Sequence, residues 1–191
     1  MEHATFTGAS LVGAQLAGAR LEASTLEAAT LDKARLTGAQ LRYVNFKRAR
    51  LDDADLSWSV LSGANFKQAS LKNAILFGAD LNGVQLHEAQ LERTDLSESW
   101  LQSANLTWTW MKESTLRNAH LEHAILRDAR LEGATLANAW LDGAVLENAY
   151  LQNSNLTAAR LKHANLRHAY LQRSDLTRVR GRVPGGGVAR R

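Results

Sequence analysis

A large apolar residue falls on every fifth position from Phe6 to Leu176, and neither common element of secondary structure can bury that beat. Its 35 positions hold 31 Leu together with Phe6, Phe46, Phe66 and Met111. On an α-helix, residues five apart are turned by about 500°, so the leucines would scatter around the cylinder without forming a stripe. On a straight strand they would alternate between the two faces. All of them point inward only if the chain itself turns after each five residues.

Two residues before each beat sits a small side chain. It is Ala in most units and Ser, Thr or Val in others, such as Ser24, Val44, Ser59, Thr94 and Thr109. Over a short extended segment, residues two apart point the same way, so the small residue and the beat share an interior. Four such segments, each bending a quarter circle, close a square coil of about 20 residues, a repeat reading that settles the fold class. The second residue after the beat is where a type II turn requires a positive φ. Nine of the 13 glycines occupy that place, among them Gly38, Gly63 and Gly143, and five asparagines share it.

Units such as Ala54-Asp55-Leu56-Ser57-Trp58, Ala64-Asn65-Phe66-Lys67-Gln68 and Ala104-Asn105-Leu106-Thr107-Trp108 resemble the A(D/N)LXX repeat of the pentapeptide-repeat family. That resemblance spans nearly the whole chain. It implies an all-β fold, a right-handed quadrilateral parallel β-helix of about nine coils. One departure stands out: the residue before the beat is Asp or Asn in only nine units.

The repeat is expected over residues 1–179, followed by a flexible Gly/Arg-rich tail over 180–191 in which Gly181 falls where the next leucine belongs. The charge divides along the same line. Residues 1–177 carry 18 Lys+Arg against 19 Asp+Glu, so the net charge of +4 resides in the five arginines of the last 14 residues. Direct nucleic-acid contact is therefore expected, if anywhere, of the basic tail alone. There is no cysteine, and hence no disulfide. Met1 to Phe6 is already in register, with no leader-like segment, and no stretch reaches spanning length, so a cytoplasmic chain without a membrane span is expected.

A core filled with leucine leaves function to the outer walls. Let face one hold the units centred at 6, 26, 46 and onward, with faces two, three and four following in order. In the C-terminal half, face one shows Trp108, Ile125 and Val145; face two shows Trp110, Arg130, Tyr150 and Tyr170 in one column; face four shows Trp100, His120, Trp140 and Arg160. Face three is small and polar there. Two readings of this asymmetry stand. Column neighbours about 4.8 Å apart can stack and stiffen the rod. Alternatively, Trp100, Trp108, Trp110, Ile125, Arg130, Trp140, Val145, Tyr150 and Tyr170 form a surface for a protein partner or a second copy.

The cluster Asp52, Asp53 and Asp55 reads as a solvated wall, and the six histidines do not converge as metal ligands do. No cofactor, metal or catalytic group is expected on a convex filled rod. The function expected is a non-catalytic rigid scaffold for protein–protein interaction, binding through the aromatic surface of the C-terminal half. The family resemblance implies an alternative, a mimic of DNA that occupies DNA gyrase and protects it from inhibitors. That role demands a strongly negative rod.

Overall fold

The computed structural model describes residues 2–181. Every β-bridge among them is parallel and joins residues 20 apart, from Thr5 with Thr25 to Arg160 with Arg180. Each unit contributes one bridge, so four bridge columns run up the molecule. This is the right-handed quadrilateral parallel β-helix.

The hydrogen bonding explains why five residues suffice for one side. The beat's N–H donates to the carbonyl of the coil above (Phe6 to Thr25, 2.7 Å), while the residue before the beat donates to the coil below (Thr25 to Ala4, 2.9 Å). The beat's own carbonyl accepts the N–H three residues on, as from Ala9 to Phe6 at 3.0 Å, closing a turn at each corner. A single coil has few bonds of its own. Stability comes from stacking, as in solenoids generally.

The interior is a tier of leucines alternating with small residues. From Leu21 to Leu166 the beats are at most 2% exposed. Phe46 and Phe66 stack within this core, with centroids 4.7 Å apart and planes 13° from parallel. Hydroxyls in the small slot are satisfied internally: Ser59, Ser99, Thr109 and Ser154 each donate to the carbonyl of the beat three residues back, and Thr94 to that of Leu71. Such pairing is what permits a polar atom in a dry tier.

The corner residue expected to need a positive φ has one in every unit. Non-glycine residues nevertheless fill 27 of these places, including Tyr43, Trp58 and Trp108. An L-residue held there costs about 1–2 kcal/mol, against a glycine entropy penalty of about 0.5–1 kcal/mol. Ala28→Gly, at an exposed corner with φ of 56°, is therefore expected to stabilise the protein, by up to about 1 kcal/mol. The reverse change, Gly38→Ala, meets no atom within 4 Å and should destabilise through the backbone alone. Urea midpoints of the two variants, moving in opposite directions, check this.

The Asp/Asn preference has a local cause. Among the described residues, no backbone carbonyl takes the N–H of the first turn residue. In all nine units with Asp or Asn before the beat, that side chain accepts this N–H, as Asn45 does from Lys47 and Asp95 from Ser97. Burial pushes the Asp55 carboxyl up, but hydrogen bonds from Ser57 and Thr37 and the charge of Arg35 outweigh it and hold the group below its ordinary value.

The ladder outlasts the leucines. Thr177 and Arg178 still form a corner, and the Arg180 carbonyl accepts the Leu161 N–H at 2.7 Å, so the coil continues through Arg180. Backbone pairing at Arg180 needs no inward side chain. From residue 182 onward the expected tail lies outside the described residues.

Candidate functional site

The residue before each beat faces outward on a bridge, so its side chain lies directly over the same position of the coil below. Asp or Asn there turns back to cap a corner. Large side chains instead stack on one another. On face two, the Arg130 guanidinium lies 4.7 Å from the Trp110 ring and 5.6 Å from the Tyr150 ring. Tyr150 and Tyr170 continue the column, stacked at 4.8 Å and 11°.

Face four is built the same way. Trp100 stacks on His120 at 4.6 Å and 10°, His120 meets Trp140 at 4.7 Å, and Arg160 covers Trp140 at 4.2 Å. Flanking acids hold two members of this column: Asp142 accepts from Arg160 at 2.6 Å, and Glu122 lies 3.3 Å from His120 Nδ1. Face one carries Asn105, Ile125, Val145 and Asn165 in its column, and Trp108 stands at the corner between faces one and two.

Stacking leaves these rings open along their edges. Trp100 is 47% exposed, Trp110 45% and Tyr170 41%, whereas Tyr150 and Val145 are half-buried. The nine residues read from the sequence as one surface fall into three sets. Trp110, Arg130, Tyr150 and Tyr170 share face two, with Trp108 at its edge; Ile125 and Val145 lie on face one; Trp100 and Trp140 lie on face four. In a four-sided coil, faces two and four look in opposite directions. A flat partner covers one of them, and only a partner that wraps around face one touches both.

The polar clusters are engaged in capping. Asp52 accepts the Lys72 N–H and the Ser70 hydroxyl, Asp53 accepts from Asn73, and Asp55 serves its own corner on another face. His123 lies against Gly143, where an added Cβ would sit 2.6 Å from Nδ1. Among the described residues no three His, Asp or Glu side chains gather as metal ligands. No helix among them is long and apolar enough to cross a membrane.

A second aromatic place was missed. At the corner of faces three and four, Trp58 packs edge-on to Phe77 at 5.2 Å and lies over Gly78, where a Cβ would come within 2.4 Å of the ring. Tyr43 lies over Gly63 in the same manner. The available signal was an aromatic corner residue followed 20 positions later by glycine.

A family model described as Pentapeptide repeats matches in 8 copies, over residues 1–22, 19–57, 59–97, 79–118, 99–138, 114–153 and 139–178. No curated protein matches the chain. Among solved structures, trypsin-treated QnrB1, a plasmid-mediated fluoroquinolone resistance protein, is 20% identical over 90% of each chain, with a TM-score of 0.52. That likeness establishes the shared fold. HetL, a pentapeptide repeat protein involved in heterocyst differentiation regulation from Nostoc sp. strain PCC 7120, is 28% identical over 97% of this chain and 92% of its own, with a TM-score of 0.46. A pentapeptide repeat protein of the Arabidopsis thaliana thylakoid lumen is 30% identical over 59% of this chain and 65% of its own, with a TM-score of 0.40.

Proposed function

The chain belongs to the pentapeptide-repeat family, and from that premise we propose that it is a non-catalytic rigid scaffold holding a protein partner, or a second copy of itself, through the aromatic columns of its C-terminal half. One observation carries this reading: rings already immobilised by stacking still expose a large part of their surface, as Trp110 does at 45% and Tyr170 at 41%. Binding normally costs the ordering of interface side chains. Here Arg130 and Tyr150 have fixed them beforehand, and Trp, Tyr and Arg are the residue types that dominate interface energies. Face two, with four such residues in one column and Trp108 beside it, is the stronger side.

Charge separates this reading from imitation of DNA at gyrase. A DNA-like rod requires dense negative potential, and residues 1–177 carry 18 bases against 19 acids. A supercoiling assay with and without a quinolone is expected to show no effect of the protein. Protection that disappears on neutralising the acids would replace the scaffold reading.

The direct test uses two variants, one per face. Trp110→Ala with Tyr170→Ala clears face two, and Trp100→Ala with Trp140→Ala clears face four. Both should fold, since every change lies outside the core. The face-two pair is expected to weaken partner capture at least about tenfold, the loss of one ordinary hot spot, and light scattering shows whether the partner is a second copy. Capture undiminished in both variants would reduce the columns to structural stacking.

A further inference from the structure

The face-four ladder lacks a rung. Trp100 has His120 on one face, but the bridge position on its other side holds Asp80, too short to stack on an indole. The Asp80 carboxylate is turned sideways: Oδ1 accepts the Asn82 N–H at 3.1 Å and Nδ2 at 2.8 Å, and Oδ2 accepts the Ser62 hydroxyl. What remains beneath Trp100 is an open groove of about 380 Å³ lined by Trp58, Val60, Gly78, Asp80, Asn82 and Trp100. Its size falls in the range of small-molecule sites, about 300–1,000 Å³.

Both walls are held in place. Trp58 is seated on Gly78 and braced by Phe77, and Trp100 is braced by His120. Two indoles therefore flank one carboxylate, and among the described residues no cation pairs with Asp80. Elsewhere the molecule completes its ladders with cations, placing Arg130 between Trp110 and Tyr150 and Arg160 on Trp140. The missing rung has the surroundings of a cation without the cation.

We propose that this corner is a binding site for a primary alkylammonium group, the head of a lysine side chain presented by a partner protein. The choice of ammonium over guanidinium follows from the acceptor count. A carboxylate offers about four lone-pair directions, and three are occupied, leaving one for a point donor and none for a bidentate fork. The open face of Trp100 supplies the remaining attraction, which acts within about 6 Å of a ring centroid, and Trp58 walls the groove. The site deepens the scaffold reading and shares Trp100 with it, but it lies on face four and depends on Asp80, outside the face-two column.

The test is an NMR titration of the indole N–H signals, assigned by single Trp→Phe variants. The probes are n-butylammonium, n-butylguanidinium and neutral n-pentanol. Millimolar n-butylammonium is expected to move the Trp58 and Trp100 signals and leave Trp108, Trp110 and Trp140 in place, with n-butylguanidinium binding more weakly and n-pentanol causing no site-specific shift. Asp80→Asn removes the charge while keeping the corner cap, since Asn performs that role at Asn65 and Asn105. It should fold normally and weaken n-butylammonium binding about tenfold, the worth of one charge-assisted hydrogen bond. Equal response to n-pentanol, preference for n-butylguanidinium, or unchanged affinity in Asp80→Asn would each overturn the assignment. None of these outcomes bears on the face-two capture experiment, so the two readings fail separately.

Discussion

Leu96→Asp is expected to destroy the middle of the rod. Leu96 is fully buried, its N–H donates to Thr115 at 2.7 Å, and its carbonyl already takes the Ser99 hydroxyl at 2.7 Å. The surrounding tier offers a carboxylate hydrocarbon and satisfied backbone. A buried charge without a partner costs several kcal/mol at least, comparable to the whole stability of an ordinary domain. Because each coil touches only its neighbours, the damage should be local at first. Limited proteolysis is expected to cut near residues 90–100, with loss of the β-sheet circular dichroism signal on mild warming. Leu96→Ala, which leaves a void and no charge, should cost about 2–5 kcal/mol and remain folded. Equal stability of Leu96→Asp and wild type would contradict the filled interior on which the functional reading rests.

Phe46→Ala is the second large effect. Phe46 and Phe66 stack at 4.7 Å in adjacent coils, where other tiers carry leucine. Removing one ring leaves a void beside a second that cannot collapse into it, and about 3–5 kcal/mol is the expected loss, read from denaturant unfolding. The double variant with Phe66→Ala should lose less than the sum of the single losses, since the two rings share about 0.5–1.5 kcal/mol of mutual contact. Additive losses would show that the rings contribute only their separate burial.

Much of this was legible in the sequence because a constant period converts residue number directly into position. Leu21 through Leu166 lie inside, each corner residue from His3 to Arg178 has a positive φ, and Trp110, Arg130, Tyr150 and Tyr170 share a column, all as the five-residue count implies. The period does not say which way a corner side chain leans. Trp58 folds along the rod axis onto Gly78, and that direction is set by the space glycine leaves, a property of the pair. Nor does composition reveal why Asp55 or Asn105 precedes its leucine. The reason is an amide two residues on with no backbone acceptor, visible only once the other amides of its unit have been paired.

The bridges joining residues 20 apart have a consequence for how such a chain can change length. Inserting one five-residue unit keeps every leucine inside, yet rotates everything downstream by a quarter turn. An insertion between Trp110 and Arg130 would leave Trp110 behind on its own wall and carry Arg130, Tyr150 and Tyr170 to the next. Folding tolerates additions of five, while the outer pattern survives only additions of a full coil. A lineage that lengthens this rod by single units would keep its architecture and lose its aromatic columns, so relatives of equal stability can present unrelated exteriors.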